Sequence, residues 1–174
     1  MNQQIIVCGQ PRNGTSMAMR MLEKGGIPIT FGASRNTPAI LLRYRNPYGV
    51  YELADFHDVT QGNFKCVWPR MLERIPKDAK LIRMMRNLDE VYKSWDLVMG
   101  KPVADDFKAQ VVAMRAKWDE ALIGRDVLTL DYDAVCADPL TVANQIASFL
   151  PPGTPFDAVA AASGVDKDLY VNRK

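Results

Sequence analysis

The sequence predicts an α/β fold in which helices flank a mostly parallel central sheet. Strand-like apolar runs alternate along the chain with segments of helical periodicity, which is the order of elements in a parallel sheet with crossover helices. The first such unit, at residues 4–22, is an apolar run, a turn with two glycines and a helix start. The 174 residues, 48% of them hydrophobic, suit a core that needs no disulfide or metal. We therefore expect residues 1–174 to form a single domain.

The elements expected in the first half of the chain are a strand at residues 4–8, a helix at 17–22, a short second strand at 27–31, a long loop at 32–50 and a short helix at 52–60. Gly25 and Gly26 end the first helix, because glycine adopts the left-handed conformation of a helix C-cap at little cost. The long loop is rich in Gly, Pro, Asn and Arg, a composition that favours a functional loop.

The elements expected in the second half are strands at residues 63–68, 80–85 and 126–131, and helices at 88–98, 107–122 and 139–150. In the first of these helices, Leu88, Val91 and Trp95 recur at helical spacing, and Asn87 and Glu90 are placed as a capping pair. We interpret the Met and aromatic residues of both amphipathic helices as core rather than as part of a cofactor site.

Charge and composition exclude several functional classes. A net charge of +2 is too small to indicate binding to nucleic acid or to a membrane surface. The N-terminus lacks the basic region of a signal peptide, and no apolar run approaches the ~20 residues of a membrane helix. Cys8, Cys66 and Cys136 are odd in number and lie in apolar surroundings, which favours reduced thiols and a cytoplasmic protein. The oligomeric state stays open.

The segment between the first strand and the first helix, residues 9–16, carries most of the chemical information. Gly9 and Gly14 allow a tight turn whose N–H groups and following helix N-terminus face an anion. Their spacing is that of a Walker A loop, yet Thr15 occupies the position of the lysine that contacts nucleotide phosphates. Arg12 is the only strong cation within the turn. The pattern favours a phosphate-bearing donor other than ATP over an ordinary strand-to-helix turn.

A second anion site is expected at Arg86 and Ser94. Arg86 ends a strand, and ligands of open α/β sheets collect at the carboxyl ends of strands. Ser94 lies seven residues beyond the expected cap Asn87, about two helical turns, so both residues share one side of the helix. An arginine and a hydroxyl that converge can bind a phosphate, although a strand-end arginine is more often solvated or salt-bridged. Together with the glycine turn, the pair predicts a donor with two separate phosphates.

These motifs resemble those of the P-loop sulfotransferases, which use 3′-phosphoadenylyl sulfate (PAPS). Residues 10–16 look like the family's 5′-phosphosulfate loop, and residues 86–94 look like its 3′-phosphate motif. Residues 46–52 resemble an N-P-x-G-[FYW]-[YFW]-E segment of a bacterial branch, while residues 130–135 and 146–150 echo the late Y-E-D-L and F-L elements. The resemblance implies a P-loop-type three-layer fold and a sulfotransferase-like P-loop domain over residues 1–174.

The resemblance also implies roles for individual residues. The residues that would bind the 5′-phosphosulfate are Arg12, Asn13, Gly14, Thr15 and Ser16, and those that would bind the 3′-phosphate are Arg86 and Ser94. The implied reaction transfers a sulfuryl group from PAPS to a hydroxyl or amine of a small-molecule or carbohydrate acceptor, with Arg12 stabilising the charge that develops on the leaving oxygen. No metal is expected, because the sequence offers no metal-ligand cluster.

The general base is the main departure from the family pattern. Many relatives carry it as the histidine of a K-T-H-L-P-like segment, where this chain has Val67. Glu52 is the leading candidate, with a structural carboxylate at a helix start as its alternative, and His57, the only histidine, is the second. Lys65 is a further residue able to contact the phosphosulfate, or else a solvated strand-end lysine.

Size is the second departure. The larger sulfotransferases close a basic R-K-G-like loop on the 3′-phosphate. In this chain Arg173 or Lys174 could supply part of that charge, although such basic residues usually only aid solubility. Asp131 and Asp133 follow the last strand, where we prefer capping or loop roles to a Walker B role. Two other functions remain open: a catalytically silent module that binds adenosine bisphosphate, and a P-loop nucleotide kinase or NTPase.

Overall fold

A computed structural model describes residues 3–30, 51 and 62–166. Its centre is a four-stranded sheet in which all neighbouring strands are parallel, in the order β2-β1-β3-β4. The strands are β1 (Ile5–Cys8), β2 (Phe64–Cys66), β3 (Lys80–Met85) and β4 (Val127–Asp131). Helices cover both faces, and this confirms the prediction of an α/β fold with three layers and a parallel sheet.

The helices of the described residues are α1 (Thr15–Lys24), α2 (Leu88–Met99), α3 (Asp105–Ala121), α4 (Tyr132–Ala137), α5 (Pro139–Phe149) and α6 (Ala158–Ala162), together with a 3₁₀ helix at Pro69–Arg74. The sequence periodicity located α1, α2, α3 and α5, because each is long enough to show an apolar stripe. Helices α4, α6 and the 3₁₀ helix were not predicted, since each has only five or six residues.

Alternating side chains of β1 build two separate cores. Ile5 and Val7 pack on one face of the sheet with α1, α4, α5 and α6, whereas Ile6 and Cys8 pack on the other face with the 3₁₀ helix and Trp118 of α3. All four residues of β1 are buried. A strand that is covered on both faces reads in the sequence as a continuous apolar run, which explains why I-I-V-C was recognisable.

The expected second strand at residues 27–31 is wrong for residues 27–30, which form no strand. Thr30 N donates to Asn63 O (2.7 Å) and the Asn63 side chain donates to Pro28 O (3.0 Å), so this stretch does contact the residue before β2. Pro28 has no N–H to contribute to a ladder, which prevents continuous pairing. Residue 31, the loop expected at residues 32–50 and the helix expected at 52–60 lie outside the described residues.

Helix caps explain where two of the helices begin. Asn87 caps α2 by accepting a hydrogen bond from Asp89 N (2.8 Å), as expected. Asp131 caps α4 by accepting from Asp133 N (2.9 Å) and Ala134 N (3.0 Å), which confirms a capping role for this aspartate. The cap turns the chain into α4 directly after β4 and so fixes the position of Tyr132.

Sheet topology decides where the site residues meet. β1 pairs on one side with β2 and on the other with β3, with Cys8 opposite both Cys66 and Arg83. Because the strands are parallel, the segments that follow their carboxyl ends emerge at one edge of the sheet. The glycine turn (residues 9–16) after β1 therefore lies between Lys65 of β2 and Arg86 after β3.

None of the helices in the described part of the chain is both long and apolar enough to cross a membrane.

We expect Trp118→Ala to lower the free energy of unfolding by about 3–5 kcal/mol, because the substitution opens a large cavity in the core between α3 and the sheet. Trp118 is 1% exposed. The matched control on the same helix is Val112→Ala, whose side chain is 46% exposed and which should change stability by at most about 0.5 kcal/mol. Urea denaturation measures both values, and equal losses for the two variants would contradict the assigned core.

Candidate functional site

The glycine turn adopts a backbone conformation that depends on its glycines. Gly9 has φ 143° and Gly14 has φ 90°, both in the region that residues with a side chain rarely adopt. Space is restricted as well, because a Cβ on Gly9 would lie 2.8 Å from the carbonyl oxygen of Met84. The turn therefore lies directly against the end of β3.

Arg12 occupies the left-handed region with φ 74°, which is uncommon for an arginine. Its Nε donates to Ser94 Oγ at 2.8 Å, across 82 residues of sequence. A strained backbone residue whose side chain is held by a distant hydroxyl is a feature that concentrates at binding sites. The contact joins the two regions that the sequence had suggested as separate anion sites.

Asn13 anchors the turn rather than extending into solvent. Its Nδ2 donates to the Met84 carbonyl (3.0 Å), and its backbone N–H donates to Gln10 O (3.3 Å). Both side chains are buried, and among the described residues neither amide atom of the Gln10 side chain has a hydrogen-bond partner. A buried amide without a partner costs about 1–3 kcal/mol, a penalty that a bound polar ligand can relieve.

The N-terminus of α1 faces the edge of the sheet with positive charge around it. Its N-cap is Gly14, which offers no side-chain cap, and its first turn contains no acidic residue. Lys65 Nζ lies 3.2 Å from Ser16 Oγ, although Lys65 is only 5% exposed. The helix dipole and the ammonium group add at this point, which makes it a favourable environment for an anion.

Lys65 is the cation that sequence reasoning left undecided. In the sequence it is only a lysine near the end of a predicted strand, and lysines in that position are commonly exposed to solvent. The structure places it at the helix N-terminus because β2 pairs with β1 in the register Val7 to Lys65. That register could not be read from the sequence, since β2 follows β1 after more than fifty residues.

The Arg86 side chain packs against the glycine turn, and the residue is 8% exposed. Its Nη1 donates to the Arg12 carbonyl (3.3 Å), and its Nε donates to Glu90 Oε2 (3.0 Å). Its guanidinium also lies over the ring of Tyr132, with Cζ 4.2 Å from the ring centroid. The salt-bridged arrangement weighed from the sequence is thus present, and it coexists with direct contact to the turn.

A further arginine, from α3, contacts the backbone of Arg86 directly after β3. Arg115 of α3 donates from Nη2 to the Arg86 carbonyl at 2.6 Å. Burial lowers the pKa of Arg115, and the nearby Arg83 lowers it further. Arg83 itself pairs with Asp119 at 2.5 Å. These contacts fix the backbone at the end of β3 from which the Arg86 side chain extends.

The structure brings together most of the residues suggested by the sequence. Those that meet at the edge of the sheet are Arg12, Asn13, Gly14, Thr15, Ser16, Arg86 and Ser94. Ser94 and Thr15 are each 4% exposed. Three further candidates, Glu52, His57 and Arg173, lie outside the described residues. Of the segment at residues 46–52 only Tyr51 is described, and its Oη donates to Glu23 of α1 at 2.7 Å.

The cysteines beside the turn are unsuited to nucleophilic chemistry. Cys8 precedes Gly9, and the Cys66 carbonyl accepts from Gly9 N at 3.3 Å. Burial raises the pKa of the Cys66 thiol to about 12, and burial together with Cys66 raises the pKa of Cys8 further above its ordinary value. Nucleophilic thiols need lowered pKa values. All three cysteines are free and buried.

No protein-family model matches this chain, and no curated protein sequence is significantly similar to it. Within residues 3–30, 51 and 62–166, no group of three or more His, Cys, Asp or Glu side chains is arranged to hold a metal ion.

We expect the native protein to resist alkylation by iodoacetamide at about pH 8, because its thiols are buried and those of Cys8 and Cys66 stay protonated there. The same protein in concentrated urea should react at all three cysteines. Mass spectrometry of the intact chain counts the labels. Rapid labelling of Cys8 or Cys66 in the folded protein would mean that the edge of the sheet beside the turn is open to solvent.

Proposed function

We propose that this protein is a sulfotransferase that transfers a sulfuryl group from PAPS to a hydroxyl or amine of a small-molecule or carbohydrate acceptor. The observation that carries the proposal is the direct contact between the two anion sites: Arg12 donates to Ser94, while Arg86 donates to the Arg12 carbonyl. Cationic groups from distant parts of the chain thus form one continuous surface.

That continuity matches the shape of the donor. PAPS carries its 5′-phosphosulfate and its 3′-phosphate on the same ribose, so a single sugar joins its two anionic ends. A single nucleotide can therefore reach the N-terminus of α1 with one end and the Arg86 and Ser94 pair with the other. ATP has no 3′-phosphate and would leave the second pair unused.

Transfer breaks the bond between sulfur and the bridging oxygen, so that negative charge collects on the leaving phosphate. In the proposed reaction, Arg12, Lys65 and the N–H groups at the start of α1 stabilise this charge. Preorganised donors of this kind are often the largest contribution to catalysis, and the loss of one donor typically costs about 10²–10³ in kcat.

The Lys65 ammonium also argues against a nucleotide kinase or NTPase. Ser16 holds the position whose hydroxyl binds Mg²⁺ in a Walker A loop. Here that hydroxyl lies 3.2 Å from Lys65 Nζ. A second cation at the same oxygen would be repelled, whereas the ammonium itself can neutralise part of the phosphosulfate charge.

The acceptor must lose a proton as its new bond to sulfur forms. Val67, at the position where many sulfotransferases have a histidine, is an apolar side chain that is 9% exposed and cannot accept that proton. The base is therefore assigned to Glu52, with His57 as the alternative.

The contacts of Arg12 with Ser94 and Arg86 also favour a second candidate function, a module that binds adenosine 3′,5′-bisphosphate without catalysis. Such a module would keep Arg12, Arg86 and Ser94 and would have lost the base at position 67. Both candidates bind the bisphosphate, but only the enzyme transfers label from PAPS.

The test is to incubate the protein with radiolabelled PAPS and an extract of small metabolites and oligosaccharides, and to measure bisphosphate binding by calorimetry. We expect labelled acceptor with the wild type and its loss in Arg12→Ala, because the leaving oxygen loses its main cation. Bisphosphate binding should weaken less. Arg74→Ala, an exposed arginine of the 3₁₀ helix, is the matched control and should keep both activities. Binding without any labelling would favour the silent module, and absence of bisphosphate binding would contradict both candidate functions.

Glu52→Gln should lower transfer by about 10²–10⁴-fold if Glu52 is the base, because the amide cannot take the proton of the acceptor. The affinity for adenosine 3′,5′-bisphosphate should stay unchanged, which separates loss of the base from loss of the fold. His57→Gln is the comparison variant and should retain activity. A large loss in His57→Gln with normal turnover in Glu52→Gln would exchange the two assignments.

A further inference from the structure

Tyr132 is the first residue of α4 and lies between the two halves of the site. It follows β4 directly, and the cap formed by Asp131 fixes its backbone. Its side chain is 8% exposed and belongs to the core shared by α1, α4, α5 and α6. Neither the first nor the second anion site includes it.

One contact of the ring is with the glycine turn. A Cβ on Gly14 would lie 2.3 Å from Cδ2 and 2.7 Å from Cε2 of Tyr132, so the ring occupies the space that a side chain would need. Gly14 is therefore required twice, once by its positive φ and once by this ring. The edge of the ring supports the residue that caps α1.

The other contact is with Arg86. The guanidinium carbon lies 4.2 Å from the ring centroid, a distance at which a cation is attracted by the π face. The same guanidinium donates from Nη1 to the Arg12 carbonyl. The ring, the guanidinium and the turn thus contact one another in a closed triangle.

From this triangle we propose that Tyr132 is a positioning residue, which holds the glycine turn and Arg86 at a fixed separation and thereby sets how well one ligand can occupy both anion sites. The identity of this ligand, a nucleotide with 3′- and 5′-phosphates, rests on the proposed function. The support of the turn and of Arg86 by the ring does not.

The chemistry of the ring suits this task. A flat aromatic ring can touch Gly14 with one edge and carry a guanidinium on its face, which a branched aliphatic side chain cannot do. Burial raises the pKa of Tyr132 to about 12, with further contributions from Cys136, so the phenol stays neutral. The ring, rather than the hydroxyl, contacts Gly14 and Arg86, so phenylalanine should preserve both of these contacts while it removes the hydrogen bond between the hydroxyl and Cys136.

The experiment compares Tyr132→Phe and Tyr132→Leu with the wild type. The control is Ile146→Ala, which truncates a fully buried side chain of α5 in the same core. Hydrogen exchange in the ligand-free protein measures the backbone amides of residues 12–16. Calorimetry measures the ratio of affinities for adenosine 3′,5′-bisphosphate and adenosine 5′-phosphate, which isolates the contribution of the 3′-phosphate.

We expect Tyr132→Leu to speed exchange in the turn by about tenfold or more and to lower the affinity ratio by about tenfold, the scale of a lost cation–π contact of about 1.4 kcal/mol. Tyr132→Phe should stay close to the wild type. Ile146→Ala should lower Tm without changing either the local exchange or the ratio. Equal effects of Tyr132→Leu and Ile146→Ala would reduce Tyr132 to an ordinary core residue.

The two readouts also separate this inference from the proposed function. If the wild type binds no adenosine bisphosphate, the proposed function fails, and the exchange data alone still decide whether the ring supports the turn. If the wild type binds the bisphosphate and the exchange and the ratio are unchanged in Tyr132→Leu, the positioning role is overturned while the proposed function stands.

Discussion

The parallel pairing of β1 with β3 is the constraint on which the rest of the site depends. Its register places Cys8 opposite Arg83, so the glycine turn leaves β1 beside the final residues of β3. The described contacts between the two proposed anion sites depend on this pairing. Asn13 reaches the Met84 carbonyl, and Arg86 reaches the Arg12 carbonyl, because β3 continues past Arg83 to Met85 alongside the glycine turn. Another strand order would separate these groups by the width of a strand or more.

The same edge of the sheet concentrates features that cost stability. Arg12 has a left-handed backbone, Lys65 and Arg86 are buried cations, and the buried Gln10 amide has no hydrogen-bond partner within the part of the chain that the structure describes. Burial of a charge or of an unpaired amide is unfavourable unless a partner compensates it. The chain bears these costs at one place, between two well-packed cores on either side of β1. An anion bound at this place would offset several of them together.

Compensation inside the protein is visible but local. Glu90 forms an ion pair with Arg86, and the Tyr132 ring packs against the face of the same guanidinium. Ser94 accepts a hydrogen bond from Arg12. Each partner holds a cation in position without removing the positive character of the edge of the sheet. These cationic side chains are therefore held in fixed positions by contacts within the protein.

Sequence patterns alone predict the α/β class, the four described strands, the four longer helices and the residues of the glycine turn. These properties are local: a buried strand is a continuous apolar run, a long helix repeats at 3.6 residues, and a tight turn needs glycine. The caps Asn87 and Asp131 were also recognisable from residue type and position.

Sequence patterns do not reveal which cations come into contact or which side chains support them, because these contacts depend on long-range packing. Lys65 contacts Ser16 across 49 residues and Arg12 contacts Ser94 across 82 residues, and such pairs depend on strand order and register. The role of Tyr132 was hidden for the same reason, since its ring touches Gly14 and Arg86 only after β4 has paired with β3. Short elements such as α4 carry too little periodicity to be predicted, and the long-range packing that forms them also builds the site.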